Sequence, residues 1–577
     1  MIQKQKLSKS MILGLLLLLA PLSQVVTAVE PAKNVIIMIS DGTSLSSVSL
    51  ARWYQRALDA EKQTLHFDPY ISGTVLTYCS NAPIGDSAPT TSTYMNGVPS
   101  IQGFVGTHPY SSGEADLVPL DASMEYRPLV SLMEATKLLQ ERKTGIVVTC
   151  EFPHATPADA TAHSYNRGRY EWIIPQMVHN GVDVVIGGGA GLLNEKHQDY
   201  LRRNGYGVFL NDISSLSDYQ GGKIWSLFAD RALPYDIDAD HSETPTLAQM
   251  TETAIRTLNK GDQGDNGFFL LVEGSLVDWA AHGNDPVGIA TEFLAFNEAV
   301  GVALDFAKED GNTVVIVTSD HGNSGISIGS RRSPNYAGTS LSEVFGPLTT
   351  IKKTAPGLAA LLVETPGENV AEVFETNASF APTEEELKAL QLLRKHSLAS
   401  RDSKERQEIL DEVKTLALEN LDYNTQKPGN LTDLVTSIYR SRMFIEFTTS
   451  GHTGEEVFLA TYAPKQEQRM MGFNTNIQLH DYMRGLLGLE PTMIELTHKW
   501  FAPHTEVFAG MDVTITGDKA VEKILNVRYN GHTFTIPAFS KVGTLDGKPY
   551  MLPLATVYVD KKDVFYLPAS VREALQK

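Results

Sequence analysis

Cysteine is nearly absent: the chain has two, Cys79 and Cys150, among 577 residues. That count excludes a disulfide scaffold and any thiolate-rich metal site. A single Cys79–Cys150 bridge stays open, because sequence does not report the separation of the two Cα atoms. Positive charge is also scarce. Lys and Arg total 48 against 68 Asp and Glu, a formal net charge of -20. A surface that neutralised a nucleic-acid backbone would carry the opposite sign, so nucleic acid is not expected as a specific partner. A small anionic substrate remains compatible, since a metal or a local Arg can invert the field of an acidic surface. Beyond the first 28 residues nothing approaches the ~18 uninterrupted apolar positions of a spanning helix, and no membrane span is expected in the mature chain. Repeats and low-complexity tracts are missing from the same region.

What is present is globular in character. Hydrophobic residues make up 42% and charged residues 20%, which excludes disorder or coiled coil for most of the length. The chain is too long for one ordinary core. Residues 1–28 read as an export signal: Lys4, Lys6 and Lys9 precede the apolar run Met11 to Ala20, and Val26-Thr27-Ala28 ends in small residues. The expectation is a periplasmic or extracellular protein, with a retained anchor as the alternative.

Several apolar runs are rich in Val, Ile and Phe and lack alternation: Asn34 to Ile39, Gly145 to Thr149, Val182 to Ile186, Phe268 to Val272, Thr313 to Thr318 and Val457 to Thr461. Such runs fit strands covered on both faces. Helical spacing separates several of them, at Leu132 to Glu141, Thr246 to Asn259 and Ala290 to Lys308. The pattern predicts an α/β fold with a mostly parallel central sheet and helices on both faces. From about 325 to 445 the rhythm breaks into an inserted helical region. Its signals are a Thr383/Glu386 capping box and a second helix from Arg406 to Leu421. Asn530-Gly531 and Asp546-Gly547 are hairpin signals near the C-terminus. The expected organisation is a catalytic domain over 29–502 and a small β-rich accessory module over 503–577.

Acids follow the apolar runs. Ile39-Ser40 leads into Asp41-Gly42, Val272 into Glu273-Gly274, and Ser319 into Asp320-His321-Gly322. In open α/β sheets ligands bind outside the carboxyl ends of the strands. One such acid is ordinarily a helix cap, but three on one edge would repel unless cations lay between them. Asp278 and His282 are spaced i and i+4 and share a helical face. His452 sits in a Gly-rich turn. Imidazole and carboxylate donors suit Zn²⁺, Co²⁺ or Mn²⁺. Ser87 follows a strand-like segment, Thr74 to Tyr78, and stands where a helix would begin. Alone, it reads as a Ser/Thr-rich turn as readily as a nucleophile.

These residues together resemble the metal-dependent alkaline phosphatases, from about Asn34 to Leu489 apart from the insertion. The motifs are Ser40-Asp41-Gly42, Asp86-Ser87-Ala88, His154-Ala155-Thr156-Pro157, Glu273-Gly274 with Asp278 and His282, Asp320-His321-Gly322, and Gly451-His452-Thr453-Gly454. The resemblance implies Ser87 as nucleophile and Arg167 as the clamp on the substrate phosphate. It implies two zinc ions, one held by Asp278, His282 and His452, the other by Asp41, Asp320 and His321. It implies one magnesium ion on Asp41, Thr156 and Glu273. His154 and Trp279 stand where members of the family vary, beside the third ion or the phosphate. The implied activity is hydrolysis of small phosphate monoesters through a phosphoserine intermediate. A homodimer is compatible with the sequence and not required by it.

Three rival functions share parts of this pattern. A phosphodiesterase shares the two-metal chemistry; Arg167 favours a dianionic monoester over a diester. A sulfatase fails because Thr91 stands where its motif needs Arg. A non-catalytic surface-binding protein would leave clustered acids and imidazoles without their cations.

Overall fold

The computed structural model describes residues 29–260, 266–333, 335 and 337–576. The expected export signal lies outside the described residues. Eight strands alternate with helices along the first half: β1 (Asn34–Ser40), β2 (Ile71–Leu76), β3 (Lys143–Glu151), β4 (Val184–Gly188), β5 (Gly207–Leu210), β6 (Ile224–Leu227), β7 (Phe268–Gly274) and β8 (Thr313–Thr318). Four short strands follow, β9 (Gly322–Asn323), β10 (Ile326–Ile328), β11 (Ile445–Phe447) and β12 (His452–Thr453). They pair as β9 with β12 and β10 with β11. With β13 (Val457–Tyr462) and β14 (Gly472–Thr475) the main sheet has ten strands, in the order β14-β2-β13-β8-β1-β7-β3-β4-β6-β5. Among its described strands, only β13 runs against its neighbours, β2 and β8.

All seven residues of β1 are buried. Its side chains divide by parity, Val35, Ile37 and Ile39 to one core, Ile36 and Met38 to the other. That explains the unbroken apolar runs: a sheet with helices on both faces has no wet side. The helices begin on the expected signals. Ser131 with Glu134 and Thr246 with Gln249 form capping boxes. Helix Pro286–Asp310, 25 residues long, is apolar enough to cross a bilayer, yet most of it is buried inside the protein.

Several expected bounds shift: the strand expected at Val182 to Ile186 is β4, two residues later, and the helix expected at Ala290 to Lys308 is Pro286–Asp310. The strand expected at Thr74 to Tyr78 is β2, which ends at Leu76. The helix expected to reach Leu421 spans Lys404–Val413. The Thr415 hydroxyl and its own N–H both donate to the Glu412 carbonyl and turn the chain out of the helix.

The helical insertion occupies Leu341–Ser441. Its buried Phe345, Leu358, Phe374, Leu390 and Ile438 belong to the second core, with Ile36 and Met38. The C-terminal region adds β15 (Ala502–Pro503), β16 (Asp512–Thr516), β17 (Ile524–Tyr529), β18 (His532–Pro537), β19 (Val542–Leu545), β20 (Lys548–Met551), β21 (Val557–Val559) and β22 (Val564–Leu567). Strands β16 to β20 form an antiparallel meander; β15, β22 and β21 form a second sheet. Positive φ at Asn530 and Gly531, and at Asp546 and Gly547, suits the two-residue hairpin loops there. Val527, Ile536, Phe565 and Leu575 lie in the first core, with Val35 and Leu271. Ala502 pairs with Leu567 across the expected 502/503 boundary, so no gap in packing separates the module from the main body.

Candidate active site

Parallel strands β1, β3, β7 and β8 end on one edge. They deliver Asp41, the Cys150–Thr156 segment, Glu273 and Asp320-His321 there. Because β13 is reversed, it starts at that edge, and His452 arrives five residues before it. Among the described residues, three groups of donors form. Asp278, His282 and His452 make one, and Asp41, Asp320 and His321 another. The third is Glu273 with His154 and Cys150. Asp278 and His282 come from a single short helix, Leu276–His282.

The imidazoles have fixed tautomers. Nδ1 of His282 lies 2.7 Å from the Ser450 carbonyl oxygen, Nδ1 of His452 lies 2.9 Å from that of Gly85, and Nδ1 of His321 lies 3.1 Å from that of Gly322. A carbonyl only accepts, so each Nδ1 carries the proton and each Nε2 is a bare lone pair. Nε2 of His282 and Nε2 of His452 are 3.1 Å apart, and His282 Nε2 is 3.4 Å from Asp278 Oδ2. Nε2 of His321 is 3.4 Å from Asp41 Oδ1 and 3.5 Å from Asp320 Oδ2. Lone pairs converging on carboxylates call for a cation.

Other buried atoms say the same. Asp41 Oδ2, Asp320 Oδ2, Glu273 Oε1, Thr156 Oγ1 and His154 Nδ1 have no hydrogen-bond partner among the described residues. Burial, then the charges of Asp320, Asp278 and Glu273, pushes the Asp41 carboxyl well above its usual range. Burial raises Glu273 to about 7. For His321 burial acts downward, but Asp320, Asp278 and Asp86 outweigh it and raise the imidazole. This donor set fits divalent metal ions.

Ser87 opens helix Ser87–Asn96, every residue of which is buried. Its hydroxyl lies 3.5 Å from Asp41 Oδ1 and 3.3 Å from His321 Nε2. Asp86 occupies the N-cap but does not cap the helix. Its carboxylate instead pairs with the Arg167 guanidinium. Burial would raise Asp86, and Arg167 outweighs it, holding the carboxyl below its usual range. Arg167 also donates through Nη2 to His154 Nε2 at 2.9 Å. Burial and then Arg167 lower His154 to about 4, so the ring is a neutral acceptor. The Trp279 ring stands edge-on to it, with centroids 5.9 Å apart. Beside Asp86 and His452 opens a cavity of about 570 Å³, lined in part by Ile84, Ile101, Gln102 and Tyr110.

Every residue expected at the site is thus gathered at this edge. The sequence reading missed Cys150, whose Sγ is 3.5 Å from Glu273 Oε2. It also missed Asn323, whose side-chain amide holds Asp278 Oδ1 at 2.7 Å. The position of Cys150 at the end of β3 was the available signal; Asn323 carried none. Both cysteines are free and buried, so the bridge left open by the sequence is not formed. Gly42 is required: at φ +59°, a Cβ there would lie 2.3 Å from Asp278 Oδ1.

Residues 32–489 match the family model described as Alkaline phosphatase. The chain belongs to the alkaline phosphatase family. It is a metal-dependent phosphatase, and the family acts on small phosphate esters. Alkaline phosphatase 3 of Bacillus subtilis (strain 168) is 29% identical over 453 residues, covering 76% of this chain and 85% of that one. Alkaline phosphatase of Escherichia coli (strain K12) is 28% identical over 339 residues, covering 51% and 70%. The cold-active alkaline phosphatase of a psychrophilic Shewanella sp. superposes with TM-score 0.64 at 25% identity, over 79% of this chain and 99% of that structure. The C-terminal module lies beyond the residues matched to the family.

Proposed function

We propose that this alkaline phosphatase hydrolyses phosphate monoesters through a phosphoserine on Ser87. The supporting observation is the placement of the Ser87 hydroxyl between Asp41 and His321, with Arg167 beside it. One zinc ion is assigned to Asp278, His282 and His452 and a second to Asp41, Asp320 and His321. Magnesium is assigned to Asp41, Thr156 and Glu273. When bound, such ions lower the pKa of an attacking hydroxyl and neutralise charge on the entering and leaving oxygens of an in-line displacement.

Ser87 Oγ gives up its proton to solvent as it bonds to phosphorus, and the ester oxygen departs with its electron pair and is protonated by solvent to the alcohol. Water then attacks the phosphoserine, releases phosphate and restores the hydroxyl. Arg167 offers a planar pair of donors to two phosphate oxygens. Its links to Asp86 and His154 hold the guanidinium in place before substrate arrives. Neutral His154 and the Trp279 ring wall this side of the site. The composition of residues 1–28 supports export to the periplasm or beyond.

The test is Ser87→Ala. Its kcat should fall by at least about a thousandfold with metal content unchanged. Acid quenching with labelled monoester should trap phosphoserine in the wild type alone. Near-normal turnover by the variant would place the nucleophile elsewhere.

A further inference from the structure

The loop that carries Arg167 is held from two sides. On one side it joins the main body: Val105 and Ser164 exchange both backbone hydrogen bonds, and the Arg167 N–H donates to the Gly103 carbonyl at 2.8 Å. On the other side stands Tyr165, two residues before Arg167. Its ring meets Phe104, Tyr126 and Trp172 at centroid distances of 6.2, 5.7 and 5.5 Å.

The C-terminal module closes this cluster. The turn between β21 and β22 places Asp560 where it accepts a hydrogen bond from the Tyr165 hydroxyl. The Lys561 ammonium lies 4.7 Å from the Tyr165 ring centroid and 4.9 Å from that of Tyr126. Lys562 reaches Glu125 at 3.9 Å. The turn itself is braced: the Tyr558 hydroxyl donates to Asp563 at 2.6 Å. Below, Phe539 of the module stacks on Trp172 at 5.8 Å, the planes 14° apart. The seam behind the loop is polar and buried. The Ala555 N–H donates to Asn180, which donates to Glu134, the partner of His163.

We propose that the C-terminal module seats the phosphate clamp: Asp560 and Lys561 are positioning residues that act on phosphate through Tyr165 and the backbone of Arg167. The module contributes no donor to the three metal-ligand groups. Yet it grips the loop on which substrate charge is read. Displacement of a clamp by an ångström-scale shift costs up to about a hundredfold. Asp560 and Lys561 are exposed, so their loss loosens the loop without unfolding it.

This inference rests on the role given to Arg167 under Proposed function. The experiment is a double-mutant cycle read by the dissociation constant of inorganic phosphate on metal-loaded protein, and by KM and kcat for a monoester. Asp560→Asn with Lys561→Met should weaken phosphate binding roughly five- to tenfold and raise KM more than it lowers kcat. Placed on Arg167→Ala, the same pair should add less than about twofold, because the residue it positions is gone. A purely structural role would weaken binding equally in both backgrounds, and that result overturns the proposal. So does unchanged phosphate affinity when the pair is introduced with Arg167 intact. If Arg167→Ala itself leaves phosphate affinity intact, the clamp role falls, and this inference with it.

Discussion

The helical insertion and the C-terminal module stand in opposite relations to the chemistry. The insertion lies in sequence between two donor segments, His321 and His452, and leaves the main body through the paired stem β10–β11. Its apolar side chains settle on the second face of the sheet. The module begins about fifty residues after the last donor. Its core is continuous with the first face, and its β21–β22 turn touches the loop of Arg167. Nearness in sequence therefore did not decide nearness to the site. The face of the sheet on which each region packs decided it.

Large core truncations give the strongest test of that contrast. Phe501 of the module seam and Phe374 of the insertion are both fully buried, and Phe501 packs on His163 at 4.6 Å. Replacing either with Ala should cost about 3–5 kcal/mol in chemical denaturation. Only Phe501→Ala should also raise the dissociation constant of phosphate. Equal kinetic effects from both would erase the distinction between the regions.

The two faces should also respond oppositely to pH. On the first, burial lowers His480 to about 4, and its Nδ1 donates to the Tyr94 carbonyl at 3.0 Å. The unfolded chain takes up the proton near 6.5 and the folded one does not, so stability is lost as pH falls from about 6.5 toward 4. On the second face, burial raises Glu292 to about 8. Here the folded state holds the proton more tightly, so stability is lost as pH rises from about 4.5 toward 8. The effects are on the order of 3 kcal/mol for His480 and about 5 kcal/mol for Glu292 across their windows. His480→Gln should flatten the acid limb of a stability–pH curve and Glu292→Gln the alkaline limb. Denaturant midpoints measured across pH check both, and a limb that keeps its slope removes that assignment.

A pair of arginines gives the smallest effect and the sharpest contrast. Arg167 should matter to kinetics: Arg167→Ala is expected to lower kcat/KM for monoesters by about a hundredfold, with a much smaller loss on diesters. Arg440 of the insertion, buried and paired with Asp422 at 2.9 Å, should matter to stability alone. Arg440→Ala is expected to lower the melting temperature while leaving KM unchanged. A KM shift in Arg440→Ala would show that the insertion reaches the site after all.

Much of this was readable from residues. Continuous apolar runs announced a sheet covered on both faces, because side chains on alternate sides of β1 both needed apolar company. Acids directly after those runs announced a donor edge, because parallel strands end together. The Asn530-Gly531 and Asp546-Gly547 turns announced their hairpins, because both central residues need positive φ. The end of the helix at Val413 was not readable, since it turns on a Thr415 side-chain hydrogen bond that competes with helix continuation. Asn323 was hidden for a similar reason: its value lies in reaching Asp278, 45 residues away.

By itself, then, the sequence determined the order of strands and helices, the donor types and the local caps, all of which depend on neighbours within a few residues. The reversal of β13, the tautomers that aim three bare Nε2 atoms at carboxylates, and the grip of Asp560 on Tyr165 were decided only in the folded chain. Each joins groups tens to hundreds of residues apart. The free energy that selects them comes from burying apolar faces and satisfying buried polar atoms across the whole sheet, which no local pattern contains.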